Sequence, residues 1–290
     1  MMKQFITAGI IVISLVFPTS AVFAQSSSLA SPIQKAFENI KDTIDNLVTA
    51  KDQNSAQELS FRVQTFKKVL DFVGAETRDV RVKLFLVEDF SNKDLIRWRN
   101  KKVTILTDAI KYYDAEKKLI ENNEKSMTID DVKNIAKDFK DIRDTKYVGA
   151  IEEVKEFVLI TQEKSSVDVA KSRINKILYD VKNINSDKLK NLSDKAAKSI
   201  KDAEDINNQA NDLFWSKYIN PQPETNYVSA TTTDAIINTE TSTESTDNTG
   251  QGSEEPIPPS IKDLVKNSLL NIKDAYQTFI EMSSLVRKGL

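Results

Sequence analysis

LSFRVQTFKKVLDFVGAETRDVRVKL, residues 59–84, decides the fold. Leu59, Val63, Phe66, Leu70, Val73, Thr77, Val80 and Leu84 step along it by four and three in alternation. That spacing gathers them on one face of an α-helix, whereas a half-buried strand would alternate at every second residue. Phe61, Phe72 and Leu86 fall near a second angular line, which predicts neighbours on more than one side of this helix.

The pattern extends in both directions. Leu95, Trp98, Ile105, Ala109, Tyr112 and Leu119 keep the same spacing, with Lys102 and Glu116 on two stripe positions. Val167, Ala170, Ile174, Ile177, Val181 and Ile184 keep it again without a polar interruption. No proline stands between Pro32 and Pro221, and Gly74 and Gly149 are the only glycines there, too little turn punctuation for strands. The chain is therefore expected to be all-α. Ser31 before Pro32, Ser91 with Asp94, Thr128 with Asp131, Ser165 with Asp168, Ser186 and Ser260 with Asp263 read as helix starts. The predicted helices are 32–50, 55–89, 92–124, 129–163, 166–184, 187–217 and 260–288, with a loss of register around Asp144 to Gly149. Short connections between long amphipathic helices predict an elongated antiparallel bundle of about six helices over 31–219.

Residues 220–259 are of another kind. They are rich in Ser, Thr and acids, hold no Lys or Arg, and offer little apolar surface to offset the entropy of ordering, so a disordered linker is expected. The chain then restarts as an amphipathic helix within 260–290. Ile261, Leu264, Val265, Leu269, Ile272, Tyr276, Phe279 and Ile280 make one broad apolar face, larger than a soluble monomer usually leaves in water. That face is expected to return to the bundle, which the linker is long enough to permit.

The other end reads as an export signal. Lys3 gives a short positive region, Phe5 to Phe17 an apolar run, and Val22-Phe23-Ala24 a small-residue cleavage pattern. Residues 1–24 are accordingly expected to be a signal peptide and 25–30 a flexible mature N-terminus, giving a secreted or extracytoplasmic product after cleavage near Ala24.

Composition narrows the chemistry. The chain has neither Cys nor His, which removes disulfides, thiolate nucleophiles, Ser-His and Cys-His catalysis, and nearly all zinc and copper sites. A formal net charge of −2 lacks the field of a dedicated nucleic-acid binder. The adjacent acids Asp130-Asp131 and Glu152-Glu153 point apart on a helix and do not face each other as a glycosidase pair must. No calcium loop and no phosphate-binding glycine loop occurs. No catalytic, cofactor-binding or metal residue is expected.

Three stretches remain as a candidate interaction surface. Arg97, Trp98 and Arg99 place cations beside an aromatic, although Trp98 also sits on the core stripe. Trp215 and Tyr218 close the sixth helix, where such a group either plugs the bundle end or meets a partner. Leu264, Leu269, Tyr276 and Phe279 belong to the C-terminal face. The Lys-, Asn- and Ile-rich helical style resembles secreted bacterial proteins of low-GC genomes, a likeness of composition that carries no function. The expectation is a non-enzymatic helical-bundle protein acting through an unknown protein partner or as a cell-envelope scaffold, without nucleic acid. The alternatives are a peripheral membrane-surface binder acting through 260–288 and, far behind it, a carboxylate-based hydrolase.

Overall fold

The computed structural model describes residues 32–52, 57–88, 90, 92–181, 186–221 and 258–287. The expected signal peptide, the mature N-terminus 25–30 and most of the linker lie outside them. The described residues are helical with no strand. In chain order the helices are α1 (Pro32–Asp52), α2 (Glu58–Leu86), α3 (Lys93–Asn123), α4 (Ile129–Ile142), a π-helical segment (Arg143–Val148), α5 (Gly149–Val181), α6 (Asp187–Phe214), a second π-helical segment (Trp215–Ile219) and α7 (Ile261–Arg287). Among the described residues no helix is long and apolar enough to cross a membrane. The backbone divides into two compact units, Met1–Gln162 and Glu163–Leu290, the boundary falling inside α5.

In the first unit, α2 packs against α1, α3 and α4. Its stripe is the buried line expected: Val63, Phe66, Leu70, Val73, Thr77, Val80 and Leu84 are buried, with Leu59 half-buried at the edge. Of the second line, Phe72 is buried and Phe61 half-buried, but Leu86 is 72% exposed. The α2 and α3 helices are antiparallel, as their cross-links show: Lys67 to Glu124, Asp71 to Lys117, Arg78 to Asp114 and Arg81 to Thr107. The core around them is aromatic. Phe139 meets the rings of Phe66 at 5.5 Å, Tyr113 at 5.5 Å and Tyr112 at 5.9 Å.

The α3 stripe differs from its expected register. The buried line is Leu95, Trp98, Lys102, Leu106, Ala109, Tyr113 and Ile120, so Leu106, Tyr113 and Ile120 replace Ile105, Tyr112 and Leu119. A straight helix drifts by about 20° per heptad from a strict seven-residue repeat, and apolar neighbours stood ready on the next line. Lys102, expected to interrupt the stripe, is buried and pairs with Glu153.

Helix starts follow the local chemistry with two corrections. Thr128 and Asp131 form a complete capping box, and Ser260 and Asp263 make the same reciprocal bonds. Ser186 caps α6. For α3 the cap is Asn92 instead of Ser91, its side chain accepting from the amides of Asp94 and Leu95; Ser91 lies outside the described residues. The break expected at Ser165 does not occur, and α5 runs straight through Ser165 and Asp168. Ile160, Val167, Ala170 and Ile174 keep burying on both sides of that point, and a serine inside a helix costs at most about 0.7 kcal/mol. The loss of register expected near Asp144 to Gly149 takes the form of the first π segment, an inserted residue that rotates the stripe that follows.

In the second unit α6 and α7 make the most extensive backbone approach of any helix pair. Ala170, Ala196, Ala203 and Ala275 are completely or almost completely buried there, among Ile174, Leu189, Ile200, Ile272, Phe279 and Met282. The α7 face therefore packs within its own chain, with Ile280 as the exception at 70% exposed.

Candidate functional site

The residues singled out in the sequence occupy different surroundings. Arg97 is exposed and pairs with Asp94 at 3.1 Å. Trp98 is buried, its ring against Phe157 at 5.1 Å and its indole N–H donating to Glu153 Oε2 at 3.3 Å. The Arg99 guanidinium lies 4.5 Å over Phe90 and 5.4 Å over Phe85. Successive helical residues point about 100° apart, so this trio builds the first unit's core and its cover, not one binding face. Trp215 and Tyr218 are half-buried in the second π segment. Tyr218 rests 5.1 Å from the fully buried Phe214, an arrangement that closes a core. Leu264 and Phe279 are buried and Leu269 and Tyr276 half-buried in the second unit, with the Arg173 guanidinium 5.0 Å over the Tyr276 ring.

The paired acids are likewise engaged. Asp131 belongs to the Thr128 capping box, whose bonds hold its carboxyl below the ordinary range. Asp130 pairs with Lys133, Glu152 with Lys155, and Glu153 with Lys102. Among the described residues no group of three or more acids is disposed to hold a metal ion.

Two buried polar clusters stand out instead, and the sequence reading missed both. The first lies at the first π segment. Arg143 is buried there and reaches Glu76 of α2 at 3.5 Å, while Lys155 of α5 meets the same Glu76 at 2.6 Å. Burial works to discharge Lys155, but Glu76 and Glu152 outweigh it and hold its ammonium above the ordinary range. Tyr113 stands beside them, its phenol pushed up to about 12 by burial against the opposing pull of Arg143 and Thr77. Every charge in this cluster has an opposite partner, the usual condition for charges inside a protein.

The second cluster obeys a different rule. Glu163 of α5 is 2% exposed and lies between Asn207 of α6 and Ser268 of α7, both buried. Asn207 Nδ2 donates to Glu163 Oε2, and Ser268 Oγ contacts Glu163 Oε1. Ser268 Oγ also lies 2.7 Å from the Ala203 carbonyl oxygen. Among the described residues Glu163 has no ion pair with a lysine or arginine. Burial lifts its carboxyl from the ordinary 4.5 to about 7, the Ser268 hydroxyl opposing the rise and Asp168 adding to it.

No protein-family model, no curated protein and no solved structure matches this chain. Function is therefore argued from the residues themselves.

Proposed function

We propose that this chain is a non-enzymatic, extracytoplasmic helical-bundle protein that works through protein–protein contact, as a scaffold of the cell envelope. The observation that carries this reading is the end of α2. Val82 and Phe85 are each 51% exposed and Leu86 is 72% exposed, while Val80 and Leu84 beside them are buried. Residues 82, 85 and 86 share one helix face, so this surface is apolar on the side turned away from the core. Apart from the Phe85 ring under Arg99, folding does not need it, since polar residues serve the solvent side of a helix equally well, and grouped exposed apolar side chains mark interaction sites. The engagement of Glu76, Asp131, Glu152 and Glu153 in ion pairs and a cap fits the same reading, because those groups hold the helices together. Export rests on the sequence pattern of residues 1–24.

The test changes Val82 and Leu86, which lack such a contact among the described residues, together to Ser and compares capture from envelope extracts by the variant and the unmodified chain. A protein held by the unmodified chain and lost from the variant, with melting unchanged, supports the reading. Identical captured sets overturn it.

A further inference from the structure

The second buried cluster can be read by counting protons. A serine hydroxyl donates one hydrogen and accepts through two lone pairs. Ser268 Oγ has two acceptor oxygens against it, Oε1 of Glu163 and the carbonyl of Ala203. One hydrogen cannot serve both. If Glu163 is protonated, the account closes: the carboxyl donates to Ser268 Oγ, Ser268 donates to Ala203 O, and Asn207 donates to the other carboxyl oxygen. Turning the Asn207 amide over would bring its oxygen to the carboxyl and demand the proton more strongly.

We propose that Glu163 is a proton-operated latch for α7, fastening that helix to α5 and α6 as a neutral acid and loosening it when it ionises. On ionisation the proton leaves to solvent and the carboxylate becomes acceptor-only. Ser268 must then turn its hydrogen to Glu163 and abandon Ala203, and the new charge stays buried without a cation among the described residues. A buried charge without a counter-ion is far costlier than a hydrogen-bonded neutral acid.

The surrounding charges do not supply that cation. On α5, Lys164 and Asp168 are exposed, Asp168 pushes against ionisation, and Lys171 is held by Glu204 of α6 at 2.7 Å. Glu156, two turns back along α5, is a further buried acid. Around Ala203 and Asn207 on α6, Asp202 is engaged by Lys198 and Asp205 is exposed. On α7, Asp263, Lys266, Lys273 and Asp274 are exposed, and Lys262 is half-buried one turn and a half before Ser268.

The latch contributes its full stability below the carboxyl's ordinary 4.5 and loses it as pH rises through about 7. Hydrogen exchange of the full chain, followed in peptides from α7 and corrected for intrinsic exchange, reads this directly. The opening equilibrium of α7 is expected to grow roughly thirty-fold between about pH 5.5 and about pH 8.5. Glu163→Gln keeps one acceptor for Asn207 and one donor for Ser268, so the variant should show no such change and should stay closed at the higher pH. Wild-type opening that does not change with pH overturns the proposal, as does a change that persists in Glu163→Gln. Should that variant not fold, carboxyl carbon NMR of the wild-type chain decides. A Glu163 midpoint above about pH 6 supports the latch, and one at or below about pH 6 overturns it.

Discussion

The two units solve the same packing problem with different side chains. The first interlocks large rings, Phe66, Phe72, Phe139 and Tyr113, and tolerates buried charge by pairing it, Glu76 with Lys155 and Arg143. The second draws its helices together over alanines and places an acid, without a counter-ion among the described residues, between hydroxyl and amide groups. Large rings derive their stability from area and edge-to-face contact, so they suffer when truncated. An alanine seam derives it from close approach, so it suffers when enlarged. Paired charges need their ionised forms, whereas the lone acid needs its proton. The units should thus respond oppositely to the same kinds of perturbation.

The largest contrast is expected in the rings. Phe139→Ala removes contacts with three aromatic neighbours and should cost about 3–5 kcal/mol by urea unfolding, with lost exchange protection centred on residues 57–162. A loss below about 1 kcal/mol would show that the aromatic cluster is not what holds the first unit.

The same amide-for-acid change should then have opposite signs in the two units. Glu76→Gln leaves Lys155 and Arg143 without their shared carboxylate and should destabilise by about 3 kcal/mol. Glu163→Gln near pH 8 should stabilise by about 1–3 kcal/mol, because the wild-type group is by then ionised in a site made for a neutral acid. Unfolding curves of both variants at one pH check this, and equal signs would break the contrast.

Ala275→Leu enlarges a fully buried position in the alanine seam of α7. A cost of about 1–3 kcal/mol is expected, read as earlier unfolding and faster exchange in α7. A neutral or stabilising outcome would mean that the seam has room and that close approach is not its source of stability.

The smallest effects should be alike. Thr128→Ala and Ser260→Ala each remove a capping hydroxyl and should each lower stability by about 1 kcal/mol. Their acid partners, Asp131 and Asp263, are held below the ordinary carboxyl range by bonds from the cap residue. This contribution is present above that range and lost as pH falls through the lowered value, the reverse of Glu163. Melting measured down to acid pH should show the loss in both units and its disappearance in the two cap variants.

The helices themselves were legible because they depend on residues within a turn or two. The spacing from Val63 to Leu84, the caps at Thr128 and Ser260, and the absence of proline between Pro32 and Pro221 each state a local preference that packing kept. Where local signals competed, tertiary contact chose. Tyr112 and Tyr113 are both apolar enough for the α3 stripe, and packing buried Tyr113 fully while leaving Tyr112 half-buried at the edge of the same core. Ser165 is a fair cap residue, but the apolar face continuing through Val167 and Ala170 kept it inside a helix. The aromatic and apolar residues chosen as an interaction surface show the limit of such reading. A large side chain on a helix face looks the same in the sequence whether it meets its own chain or another, and burial placed Trp98, Leu264 and Phe279 inward while leaving Phe85 and Leu86 outside.

By itself, then, the sequence determined that this protein is helical, where most of its helices begin, and that the chain resumes as an amphipathic helix at Ser260. The tertiary structure alone decided which of two adjacent stripes on α3 is buried and where the C-terminal face is seated. It alone also set Glu163 apart from an ordinary helix acid, burying it between Asn207 and Ser268 and raising its carboxyl to about 7. The reason is range: periodicity and caps are settled over three or four residues, while the state of Glu163 depends on Asn207, 44 residues away, and Ser268, 105 residues away.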